Sequence, residues 1–142
     1  MATSQVAVFE STLQKTHQWL AELVDTGQFE SEGQAYTAMR AVLHALRDRL
    51  TVEEATDLGA QLPMLIRGFY YEGWNPSKTP VTLRHRDDFI DGVRHALRNA
   101  AEAIDAEQAT MAVFGLLSLK VTAGEIGDVR QQLPPAIRGL WP

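Results

Sequence analysis

The densest group of side chains able to hold a metal within a short span is His85, Asp87, Asp88, Asp91 and His95. Asp91 and His95 are four positions apart, so on a helix they share one face and could supply two ligands. A specific site needs a third or fourth ligand, and no tight motif such as HExxH accompanies them. The group therefore reads as the solvated, charged start of a helix, and no metal is expected. His44 lies beside an apolar helical stripe and reads as a half-buried, hydrogen-bonded histidine rather than a base. There is no GxSxG elbow and no phosphate loop; Gly124-Glu-Ile-Gly127 is too short to be one. Carboxylates for acid–base work would have to be paired in space by the fold. A non-enzymatic role without a cofactor is expected.

A second constellation occurs twice. Residues 51–70, TVEEATDLGAQLPMLIRGFY, return at 122–141 as TAGEIGDVRQQLPPAIRGLW, with 9 identities in 20 ungapped positions at an offset of 71. The copies pair Thr51 with Thr122, Glu54 with Glu125, Asp57 with Asp128 and Arg67 with Arg138. One reading is a pair of equivalent sites in which Arg67 and Arg138 offer planar forks to an anion. The other is structural: Thr and Glu cap a helix, and Arg pairs with a carboxylate across a proline corner. The structural reading is favoured, because an active site needs its constellation once, whereas a fold built twice needs its corners twice.

The third group is aromatic. Phe69, Tyr70, Tyr71 and Trp74 fall within six residues and cannot all turn inward from a short helix and loop. Part of them should cover the interface between two halves of the chain. Any left exposed would anchor a protein contact, since Tyr and Trp dominate binding hot spots.

The elements that position these groups are helical throughout; apolar residues recur every three or four positions and no alternation of period two is sustained. Val6, Phe9, Leu13, Thr16, Leu20 and Leu23/Val24 predict the buried face of a helix from about residue 5 to 25, with Gly27 as its positive-φ stop. Ser31 and Gln34 form a capping box. The helix it opens buries Ala35, Met39, Val42, Leu43, Leu46 and Leu50 and turns Arg40, Arg47 and Asp48 outward. Thr51 and Glu54 form a second box; the helix after it is expected to bury Val52, Ala55, Leu58 and Leu62. Pro63 ends that helix and opens a short one over 64–71. Two prolines, a glycine and an asparagine mark 73–80 as loop. Asp87, Asp88 and Asp91 favour a helix start, where the amide dipole attracts negative charge. Phe89, Ile90 and Val93 give that helix its apolar face. A further helix over 106–120, a third box at Thr122 and a second kink at Pro134 complete the chain.

This organisation is all-α: two tandem helical units, 5–72 and 86–141, joined by a linker at 73–85. One domain over 1–142 is expected, with the units packed about a pseudo-twofold axis into one globule, because a unit under 70 residues with one apolar stripe per helix rarely closes its own core. The composition agrees: 142 residues, 45% hydrophobic and 22% charged, fit an ordinary globular chain. With no cysteine, disulfides and thiolate metal sites are excluded. The first residues lack a signal-peptide pattern, and no apolar run reaches the roughly 18 residues of a membrane span. A soluble, cytoplasmic protein is expected. The net charge of −5 and the acids interleaved among the basic residues of 78–98 argue against nucleic acid.

The two QLPxxIRG copies, the opening FxxTLQKTxxWL at 9–20 and the central AxRAVLHALRDRLTVEEA at 38–55 resemble a bacterial domain-of-unknown-function family, number 2267. Trp19, His44, Tyr70, Trp74 and Trp141 fit its pattern. The resemblance covers essentially the whole chain. It implies a soluble, all-helical bacterial protein, and it supplies no catalytic residue. The function expected is a non-enzymatic protein-interaction or self-assembly module, with a protein partner or a second copy docking on Phe69, Tyr70, Tyr71 and Trp74. The alternative is a small-anion binder or an enzyme with its cleft between the repeats, holding its ligand through Arg67 and Arg138.

Overall fold

The computed structural model describes residues 6–142, so the expected start of the first unit at residue 5 lies outside the described residues. Among them are eight α-helices, one 3-10 turn at Pro76–Lys78 and no strand, as the periodicity predicts. The helices are α1 (Ala7–Gly27), α2 (Glu32–Arg49), α3 (Val52–Ala60), α4 (Met64–Tyr71), α5 (Arg86–Ala96), α6 (Ala106–Lys120), α7 (Ala123–Gln132) and α8 (Pro135–Arg138). At the offset of 71, the first residues of α3 and α4 fall on the first residues of α7 and α8. Pro63 and Pro134, which turn the chain between them, have almost the same backbone angles, φ −55 and −56 with ψ 151.

The core lies between α2 and α6, which pack on each other. α1 lies against both, α5 covers α6 and α2, and α3 meets α7 on another side. Leu43 and Leu46 from α2, Leu50 just after it, and Val113, Phe114 and Leu117 from α6 are buried in one continuous cluster with Leu23, Leu58 and Ile137. The 73–85 connection is fastened to α2: the Val81 amide donates to the Asp48 carbonyl at 2.8 Å, and Arg49 Nε donates to the Leu83 carbonyl at 2.7 Å.

In α1 and α2 the structure corrects three expectations. The first concerns α1, which buries Thr12, Thr16, Trp19, Leu20 and Leu23, a stripe rotated by about one residue at its start from the predicted one. Phe9 and Leu13 are instead 50% and 46% exposed. The cause is α4. Pro63 has no side chain to cap it, so the orphan amide of Leu65 takes the Thr12 hydroxyl as acceptor at 2.8 Å and turns Thr12 inward.

The second concerns Gly27. It stays helical, and Gln28 takes the left-handed position with φ 55. Gly27 is required for clearance: a Cβ there would sit 2.4 Å from the Phe29 ring and 3.1 Å from Ala112. The third is Arg47, expected outward but only 3% exposed. Its Nη1 donates to the carbonyls of Tyr70 at 2.7 Å and Glu72 at 2.9 Å, satisfying the open end of α4.

Candidate functional site

The predicted cap residues do part of what was expected. The Thr51 hydroxyl accepts from the Glu54 amide at 3.2 Å, and the Thr122 hydroxyl from the Glu125 amide at 3.4 Å. In a complete box the glutamate would then reach back to the threonine amide. Here a glutamine from the other copy does so. The Thr51 amide donates to Gln132 Oε1 at 3.0 Å, and the Thr122 amide donates to Gln61 Oε1 at 2.9 Å. Each glutamine returns a bond through its NH2 group: Gln132 Nε2 to Thr51 Oγ1 at 3.2 Å, and Gln61 Nε2 to Thr122 Oγ1 at 3.0 Å. The last turn of each helix thus closes the first turn of its counterpart.

Glu54 and Glu125 are thereby released from capping and turn into the α3–α7 contact. Each is only 8% exposed, while Val52, the residue expected to be buried at this corner, is 42% exposed. Oε2 of Glu54 and Oε2 of Glu125 are buried without a hydrogen-bond partner. Asp57, one turn after Glu54 on α3, joins them: one carboxylate oxygen from each of the three lies within 4.8 Å of the other two. Burial pushes the Glu125 carboxyl up to about 8, helped by its contact with Glu54 and by the negative charges of Glu54, Asp57 and Asp128.

The arginines of the repeat are engaged elsewhere. Arg67 Nε donates to the Gly59 carbonyl at 2.9 Å, and its Nη2 to Ala60 at 3.3 Å and Leu62 at 2.8 Å. Arg138 donates to the carbonyls of Arg130 at 3.1 Å and Leu133 at 3.0 Å. Each guanidinium therefore satisfies the carbonyls that end α3 or α7, in place of the carboxylate pairing expected of it. His44 is half-buried and hydrogen-bonded, as read from the sequence; its Nε2 lies 2.6 Å from the Phe69 carbonyl. Burial holds its pKa below the ordinary histidine value, with Arg47 and Arg40 adding to the effect against that hydrogen bond.

The aromatic segment divides. Phe69 is buried under an edge-on contact with Tyr36 at 5.1 Å. Tyr70 is fully buried, and its hydroxyl donates to the Ala55 carbonyl at 2.7 Å. Tyr71 and Trp74 stack at 5.4 Å and are half-buried against the core. Of the four residues expected to form a contact, only these two offer any surface. An exposed apolar patch lies elsewhere: Leu13 and Leu65, with Tyr36, Leu20 and Phe69, line a depression of about 450 Å³ between α1, α2 and α4.

His85, just before α5, and Asp87, Asp91 and His95 on it are exposed, and Asp91 pairs with Arg94. Among the described residues the one group of three placed to share a cation is Glu54, Asp57 and Glu125; the sequence suggests the two glutamates as caps and Asp57 as a partner for arginine. The signal that could have found it is the glutamine matched in both copies, Gln61 and Gln132, a second cap partner that leaves the glutamates unused.

The model of a protein family described as an uncharacterized conserved protein, DUF2267, matches residues 16–140. The chain belongs to this family. The DUF2267 match takes in the first copy of the motif and all but the last residue of the second, and with them the α3–α7 carboxylates. No curated protein matches the chain.

Proposed function

We propose that the chain is a non-enzymatic interaction module of the bacterial cytoplasm that assembles with a second copy of itself through the first half of α1. The observation that carries this reading is the exposure of Phe9 and Leu13, 50% and 46%, on one face of a helix and beside the apolar depression lined by Leu65 and Tyr36. Contiguous apolar surface of this kind marks contact sites on soluble proteins. The equivalent spacing on α5 makes the point: Phe89 and Val93, also four apart, are buried. Phe9 and Leu13 thus form a core-like pair without a cover.

A second copy is the favoured occupant because an antiparallel α1–α1 contact about a twofold axis would set Phe9 and Leu13 of each copy against the same pair on the other, one apolar face covering its equal. The chain has no cysteine, so a single introduced thiol reports the contact cleanly. Leu13→Cys is expected to form a disulfide-linked dimer under mild oxidation, and Leu119→Cys, 74% exposed on α6, is expected not to. Equal cross-linking of both variants, or of neither, would reject the contact.

The alternative, an anion site or active site on Arg67 and Arg138, has less support. Both guanidinium groups are committed to main-chain carbonyls, and the contact between the copies is lined by carboxylates.

A further inference from the structure

From their geometry we infer that Glu54, Asp57 and Glu125 form a binding site for a hard divalent cation at the α3–α7 contact. This inference is independent of self-association through α1. Three carboxylate oxygens, each within 4.8 Å of the other two, come from two helices that meet only in the folded chain. A calcium, manganese or magnesium ion sits about 2.0–2.6 Å from each oxygen ligand, so oxygens on its shell lie roughly 3–5 Å apart. The 4.8 Å limit on the three separations is compatible with such a shell.

A second observation points to a ligand. Glu54 and Glu125 are each more than nine-tenths buried, and Oε2 of each has no hydrogen-bond partner. Buried carboxylate oxygens are costly unless a donor or a cation meets them. The cap donors are already used: the Thr51 amide and hydroxyl donate to Gln132, the Thr122 amide donates to Gln61, and the Arg67 guanidinium donates to carbonyls. The capping arrangement therefore leaves two buried carboxyl groups against each other with no basic side chain paired to either.

The donor set selects the ion. All three groups supply oxygen, and neither histidine nor cysteine is among them, which suits Ca²⁺, Mg²⁺ or Mn²⁺ rather than zinc or copper. Asp128, one turn beyond Glu125, adds negative potential without entering the ligand group. Because Glu125 comes from the second copy of the motif and Glu54 from the first, the ion would bridge the two halves. Its binding would favour the folded chain over the unfolded one.

The test is thermal unfolding of the full chain after chelator treatment. CaCl2, MgCl2 and MnCl2 are titrated to about 10 mM at constant ionic strength, with one-site saturation read from the midpoint. At least one of the three should raise the midpoint saturably, by about 3 °C or more. Asp57→Asn, an exposed position, and Glu54→Gln should each weaken that affinity at least tenfold while circular dichroism stays helical. The assignment is overturned if no ion shifts the midpoint, as for a carboxyl pair that shares a proton and takes no cation. It is also overturned if Asp57→Asn responds like the parent chain. Asp57→Asn keeps the test open should Glu54→Gln fail to fold.

Discussion

Glu54 and Glu125 occupy the same place in two copies of one motif and meet across the α3–α7 contact, each 8% exposed and each with an unpartnered Oε2. They are free to meet because Gln132 and Gln61 complete the caps that these glutamates would otherwise close. The caps, the helix contact and the carboxylate cluster are thus one arrangement, and each part can be tested alone.

Removing a glutamine tests the exchanged caps. Gln132→Ala leaves the Thr51 amide without its acceptor and should cost about 1 kcal/mol, the usual size of a lost cap bond. Gln61→Ala should do the same at Thr122. Urea unfolding of both single variants and the double variant measures the coupling between them. A loss under about 0.3 kcal/mol in both would mean that the bonds across the copies contribute little to holding them together.

Stability should depend on pH through Glu125. The groups facing it are Glu54 and Asp57 on α3, Asp128 on α7 and Tyr70 on α4. Its folded pKa of about 8 lies above the ordinary value of 4.5, so at neutral pH the folded chain holds a proton that the unfolded chain has released. The stabilisation linked to that proton is present below about 4.5 and is lost as pH rises to about 8. In chelator, the unfolding midpoint should fall across this window, and Glu125→Gln should flatten the fall and raise the midpoint at pH 8. A parent chain and variant with parallel pH profiles would contradict the shared environment of the two glutamates.

Arg67 should behave as a structural residue. Arg67→Ala removes three donors from the carbonyls that end α3 and should destabilise by about 2 kcal/mol; Arg67→Lys should recover less than half, because an ammonium cannot span the three acceptors. The readout is the denaturation midpoint. Full rescue by lysine would mean that charge, and not the fork, is what the corner uses.

The helices were legible because their signals are local. Ser31, Thr51 and Thr122 cap where the sequence places them, and Pro63 and Pro134 turn the chain where they must. Asp105 likewise caps α6, accepting from the Gln108 amide at 2.8 Å. The errors arose where a distant partner chose which face turns inward. Thr12 and Leu13 are neighbours on α1, and only the Leu65 amide of α4 decides between them. Arg47 looks solvent-bound until the carbonyls of Tyr70 and Glu72 are brought over it. The carboxylate site was hidden for the same reason. Glu54 and Glu125 each fit a local capping box, and only the packing of α3 on α7 takes them out of it.

The account of function rests on the uncovered face of α1, and sedimentation velocity tests it most directly. The parent chain and a Phe9→Ser/Leu13→Ser variant would be compared from about 5 to 200 µM. Both positions are about half exposed, so the variant should remain folded. The expected result is a parent chain that shifts from monomer towards dimer with concentration and a variant that stays monomeric throughout. A parent chain that is monomeric at every concentration, or a dimer that the variant leaves intact, would contradict it.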